Sequence, residues 1–185
     1  MPKARRCYTI CLFLVATAFL FISVARSESY KGFLKLNPDE CVPLDKKVVD
    51  QLPADWHKYG DFVKICGLPQ KKGQPAKVSI ISVWAHDYYA TLPAGTLWEN
   101  LPRPLIVDSS YREIGLLREV YPADPPRDLY VHYGRWEAGL PTEIRVDVHN
   151  PAVDGDYFYA PLKWNKKSGR YEMKSKEVTY GIRRR

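Results

Sequence analysis

The chain has 185 residues, 45% hydrophobic and 26% charged, with a formal net charge of +7. That length allows one ordinary domain plus a targeting segment, and no internal repeat, low-complexity tract or dividing linker breaks it up. The charge does not argue for nucleic acid, because it sits at the two ends of the chain. With Lys3, Arg5, Arg6 and Arg26 set aside, 28 basic against 21 acidic residues become 24 against 21. Of the remainder, 163–185 carries nine basic and two acidic residues, which leaves 15 against 19 for 28–162.

Residues 1–6 form a positive flank. An uncharged apolar run over 7–24 follows, and small residues stand at Ser23, Ala25 and Ser27. This is the pattern of a secretory signal peptide, removed by cleavage within 1–27. The run is long for a signal peptide and slightly short for a spanning helix, so an uncleaved signal anchor with membrane contact through 7–24 is the alternative. Either way the domain over 28–185 is expected to be exported, periplasmic or extracellular. Two cysteines remain in it, Cys41 and Cys66. In an oxidising compartment they are expected to form a disulfide, stabilising by roughly 3–4 kcal/mol in the chain-entropy model.

Residues 31–36 read as a short strand and 37–40 as a turn. Asp45 caps a short helix over 45–52, with Val48, Val49 and Leu52 at helical spacing. Trp56, Tyr59, Phe62, Val63 and Cys66 give 55–66 a helical reading, stopped by Gly67-Leu68-Pro69. On this reading the disulfide ties the start of a helical unit to its end. The run over 77–85 is β-branched and apolar, hence a strand. Residues 88–101 read as irregular and 105–107 as a short strand. Ser110 with Glu113 forms a capping box, and Ile114, Leu117, Val120 and Tyr121 share a face, so 109–121 reads as the best helix of the chain.

The stretch over 128–164 is the expected centre. Residues 129–136 are apolar or aromatic on both faces, as in a covered strand. Residues 142–149 alternate strictly, Ile144, Val146 and Val148 against Glu143, Arg145, Asp147 and His149. A five-residue connection, 137–141, makes a hairpin of the two. A strand over 157–164, a polar turn over 165–169 and a return strand over 170–174 extend it into a meander, with 177–182 as a last edge strand. The fold class is therefore α+β: an antiparallel, meander-rich sheet with a few short helices, the alternative being a β-sandwich with helical insertions.

Chemistry is sparsely marked. With 129, 131 and 133 facing the Ile144 side, His132, Arg145 and Asp147 share the opposite face and are candidates for acid–base work. A solvated, ion-paired sheet face is the bland reading of the same trio. His86-Asp87, after a strand end, is a second candidate pair. Asp147, Asn150, Asp154 and Asp156 are hard oxygen ligands close in sequence, yet their spacing is not that of a calcium loop and turn formation explains them. No zinc motif, phosphate-binding glycine loop or Gly-x-Ser-x-Gly is present, so no metal or cofactor is expected. Aromatic and basic residues supply the remaining signal: Tyr157, Tyr159 and Trp164 beside the basic hairpin of Lys163, Lys166, Lys167 and Arg170 are binding candidates. The expected function is an exported cell-envelope protein that binds or joins an assembly, with an envelope protein partner, no nucleic acid and no catalysis. A secreted or periplasmic hydrolase using a His/Asp site is the competing reading.

Overall fold

The structure, a computed structural model, describes residues 32–97, 99, 101–117, 129–150, 155–173 and 178–180, with 129, 148–150, 155–158 and 178–180 described as backbone only. Two antiparallel sheets and three short helices make up an α+β architecture, as expected. The smaller sheet is a consecutive meander of β2 (Val42–Pro43), β3 (Val63–Gly67), β4 (Val78–Val83), β5 (Leu105–Asp108) and β6 (Glu113–Leu116). The larger has the order β1 (Phe33–Lys35), β7 (Leu129–Glu137), β8 (Leu140–Asn150), β10 (Leu162–Asn165), β11 (Arg170–Met173). Its remaining strands, β9 (Gly155–Tyr159) and β12 (Val178–Tyr180), pair with each other, and β9 also pairs with the far end of β8.

The layers follow from alternation. On β4, Val78 and Ile80 face the larger sheet, while Ile81 and Val83 face the other way; all four are buried. The first pair joins Ile106, Ile114, Leu117, Val131, Tyr133, Ile144, Val146, Leu162 and Tyr171 in a core between the two sheets. The second pair packs under α1 (Lys46–Val49), α2 (Ala54–His57) and α3 (Ala85–Ala90), with Val49, Trp56, Tyr59, Ala85, Leu105 and Val107. The result is sheet on sheet, with a helical layer covering the outer side of the smaller sheet. Each buried Val, Ile or Leu contributes about 1.5–3 kcal/mol, so the double-faced β4 is an energetic centre of the fold.

Several expectations hold in detail. Asp45 caps α1, its carboxylate accepting from Lys47 N at 2.8 Å. The β7–β8 register is the expected one: Val131 opposite Val146, Tyr133 opposite Ile144, His132 opposite Arg145. Cys41 and Cys66 are bonded, S–S 2.11 Å with Cα atoms 4.3 Å apart.

Other expectations are corrected. The helix over 109–121 is not formed: its described part is a turn followed by β6. Asp108 organises that turn, accepting from the backbone N–H of Ser110 (2.9 Å) and of Arg112 (3.1 Å) and from Arg112 Nε (2.9 Å). Tyr111 adopts a left-handed φ of 60° there. Glu113 is no capping-box partner but pairs with Arg170 of β11. Leu116 pairs with Leu105, Gly115 with Ile106 and Glu113 with Val107, a bulge leaving Ile114 as the extra residue, so pairing with β5 overrides the helical spacing. Val120 and Tyr121 lie outside the described residues.

The helix over 55–66 ends early, at His57. A 3-10 turn at Gly60–Phe62 follows, then β3, because Val63, Lys64 and Ile65 find a ladder on β4. The disulfide therefore joins neighbouring strands rather than the ends of a helical unit: Val42 pairs with Ile65, and Cys41 and Cys66 are the next positions along. The segment expected to be irregular from 88 begins inside α3.

The β7–β8 connection is tighter than five residues. Ala138 and Gly139, with φ of 51° and 78°, make a two-residue turn with both φ positive, whose twist suits the paired strands. The strand over 157–164 is split at Ala160-Pro161. Asp147 pairs with Phe158 but Ile144 with Leu162, one residue out of step, so the break inserts an extra residue into the ladder. That slip is why Tyr159 and Leu162, an odd and an even position, both reach the inter-sheet core.

Among the described residues no helix is long and apolar enough to cross a membrane. The run over 7–24 lies outside them.

Candidate functional site

A pocket of about 310 Å³ lies at the β10–β11 hairpin, lined by Lys163, Trp164, Asn165, Lys166, Lys167 and Glu172. The hairpin is preset by its own sequence. Asn165 Oδ1 accepts from Lys167 N at 2.9 Å, and Gly169, at φ 64°, donates its N–H back to Asn165 O at 2.8 Å. Trp164 is half-buried, its ring 5.0 Å from that of Tyr171. Tyr171 in turn is buried and donates its hydroxyl to Pro141 O at 2.6 Å, which ties the hairpin to the start of β8. Burial raises the Tyr171 hydroxyl well above the ordinary tyrosine range.

The charges in the pocket divide into committed and free. Glu172 accepts from Asn165 Nδ2 at 2.7 Å and from Ser168 Oγ at 2.6 Å, and these two bonds hold its carboxyl below the ordinary range. Lys166 reaches Glu137 at 2.7 Å. Lys163 and Lys167 are exposed and form no ion pair among the described residues. Three expected binding residues, Trp164, Lys166 and Lys167, thus belong to one hairpin, but Trp164 lies with Tyr171 on the core face of the sheet and Lys163 with Glu172 on the other. Tyr159 lies apart from the hairpin and, like Trp164, packs against the inter-sheet core. The Tyr157 side chain lies outside the description, and its backbone pairs with Val148 and Tyr180. Asn165 and Glu172 were not foreseen; the turn-forming context of Asn165 was the available signal.

The outer face of the larger sheet holds the other candidate. His132 Nε2 lies 3.2 Å from Asp147 Oδ2, both partly exposed. Arg145 turns away, its Nε 2.9 Å from the buried Glu143 and its guanidinium 4.3 Å above the Phe33 ring. Lys35 sits 3.9 Å over the Tyr130 ring. Opposite strand positions bring His132, Arg145 and Asp147 to one face, but only His132 and Asp147 meet. His86 and Asp87 follow the end of β4 and lie in the first turn of α3, with 3.9 Å between them and the His86 side chain 76% exposed. Asp87 is engaged by Lys64 at 3.0 Å. Of the oxygen-ligand set only the Asp147 side chain is described, and it belongs to the His132 pair. No cluster of three or more metal-ligating side chains occurs among the described residues. Compared with known proteins, the chain has no significant match to any family, curated sequence or solved structure.

Proposed function

We propose that this is an exported envelope protein that works by binding, not catalysis, through the pocket of the β10–β11 hairpin. The observation that carries the reading is the convergence there of two ammonium groups, unpaired among the described residues, on a turn fixed by its own hydrogen bonds. The disulfide supports the export half, since such bonds persist in oxidising compartments, and the apolar run over 7–24 is a suitable targeting segment. The test is fractionation of the native host with mass and thiol counting on the recovered protein. Recovery from the envelope with Cys41 and Cys66 oxidised, and release of the protein by Lys163→Glu with Lys167→Glu, are the expected results. Cytosolic recovery with both thiols free overturns the export half; envelope retention unchanged by the double variant overturns the binding half.

A hydrolase using His132 and Asp147 is the second reading, favoured by their 3.2 Å approach. A carboxylate so placed could orient an imidazole base. Loss of a measurable hydrolytic activity in His132→Ala, with unchanged melting temperature, would establish it.

A further inference from the structure

Alternation along β8 and its ladder to β9 bring metal-ligating residues to one patch of the larger sheet. Val146 is buried in the inter-sheet core, so by parity Asp147 and His149 stand on the opposite, outer face. Phe158 pairs with Asp147 and Asp156 with His149, and directly paired residues of an antiparallel ladder share a face. Asp147, His149 and Asp156 therefore occupy three corners of one patch, with Phe158 at the fourth. Paired positions lie about 4.5–5.5 Å apart at Cβ, and positions i and i+2 of a strand about 6.5–7 Å apart. Aspartate and histidine at such spacings can share one ion, whose bonds to nitrogen and oxygen are about 2.0–2.2 Å long for zinc.

The neighbouring pair supplies what such a site needs around it. His132 Nε2 lies 3.2 Å from Asp147 Oδ2. Metal-bound carboxylates are held by hydrogen-bonding partners of this kind, and the two oxygens of a carboxylate carry about four lone-pair sites, more than one imidazole takes up. Arg145, two residues before Asp147 on the same face, is turned to Glu143 and the Phe33 ring instead. The donor set selects the ion. Two carboxylates with an imidazole mix hard oxygen and borderline nitrogen, which suits zinc and related transition metals. Calcium takes six to eight oxygens and has no use for His149.

We propose that the juxtaposition of Asp147, His149 and Asp156 on the outer face of β8 and β9 is a binding site for a divalent transition metal of the zinc class, with His132 as the positioning residue of Asp147. The site uses other strands than the β10–β11 hairpin and does not depend on the function proposed for it.

The test is a titration of the purified, untagged, metal-free full chain with Co2+, followed by visible absorbance and then by displacement with Zn2+. Binding of one equivalent is expected, displaced by Zn2+ and not by an equal concentration of Ca2+. His149→Gln and Asp156→Asn should each weaken it at least about tenfold, and His132→Gln about tenfold with the metal-free melting temperature unchanged. His86→Gln removes a side chain that is 76% exposed and should change nothing. Saturating Zn2+ should raise the melting temperature of the wild type and of His86→Gln but not of His149→Gln, because a ligand stabilises only the state that binds it. Failure of the wild type to bind, or binding that survives both His149→Gln and Asp156→Asn, overturns the proposal. Loss of binding in His86→Gln marks an adventitious ion only and overturns it as well. Preferential displacement by Ca2+ overturns the assignment to the zinc class.

Discussion

At the scale of single residues, Glu99 holds the helical layer to the loop after α3. One carboxylate oxygen takes Lys58 Nζ at 2.7 Å and the other accepts from the Tyr59 hydroxyl at 3.0 Å, while its backbone N–H donates to the Tyr89 hydroxyl at 2.7 Å. The Lys58 bond, against a smaller burial penalty, holds the Glu99 carboxyl below the ordinary range. A depressed carboxylate adds stability that is present above its unfolded value of about 4.5 and is lost as pH falls through the folded one. Glu99→Gln should therefore lower stability by about 1 kcal/mol at neutral pH, since the pair is exposed and screened, and the gap from wild type should close in acid. Urea melts at several pH values check it. The alkaline limb has its own cause. Burial raises the Tyr59 and Tyr133 hydroxyls from 10.0 to about 12. Raised values mean stability held below pH 10 and lost as pH climbs toward 12, when the unfolded phenols ionise first; melts paired with phenolate absorbance should show unfolding and ionisation together.

At the scale of elements, close approaches decide where strands can lie. A Cβ on Gly134 of β7 would meet the Gly32 carbonyl and come within 2.8 Å of the Phe33 Cα. Gly134→Ala should thus push β1 off the sheet and cost about 1–3 kcal/mol, with faster amide exchange confined to β1 and its ladder. Gly115 of β6 plays the same part where the two sheets touch, a Cβ there reaching within 2.9 Å of the Tyr171 Cβ. This accounts for a glycine inside the span whose spacing reads as a helix. The Tyr171 hydroxyl, buried against Pro141 O, gives a separate expectation: Tyr171→Phe leaves that carbonyl without its donor and should destabilise by about 1–3 kcal/mol, measured by denaturant melts. The turn at Asp108 shows why the capping-box reading of Ser110 and Glu113 failed. Local capping is worth about 1 kcal/mol, and several carboxylate bonds plus a ladder to β5 outweigh it.

At the scale of the whole molecule, the disulfide closes a loop of sequence separation 25 that holds β2, α1, α2 and β3. Cys41→Ala with Cys66→Ala should cost about 3.5 kcal/mol in the chain-entropy model, read as a lower denaturant midpoint matched by reduced wild type. The period-2 alternation of 142–149, the β-branched run over 77–85, the Asp45 cap and the pairing of the two remaining cysteines were legible from residue order, because each depends on near neighbours or on simple parity. So were Lys166 and Lys167 as exposed residues of one hairpin, and His132 and Asp147 as residues of one face. Parity alone could not say that the second pair would touch and Arg145 would turn to Glu143 instead. Nor could it say that Tyr159 would be drawn into the core by the extra residue at Ala160-Pro161, since a ladder slip is invisible without the partner strand. By itself the sequence determined which segments bury apolar side chains and which cysteines can bond. Only the tertiary structure decided that 113–116 would be strand and not helix, and that the meander would divide into two sheets sharing a core. Those choices turn on long-range pairing, whose free energy exceeds the local preferences a single chain segment expresses.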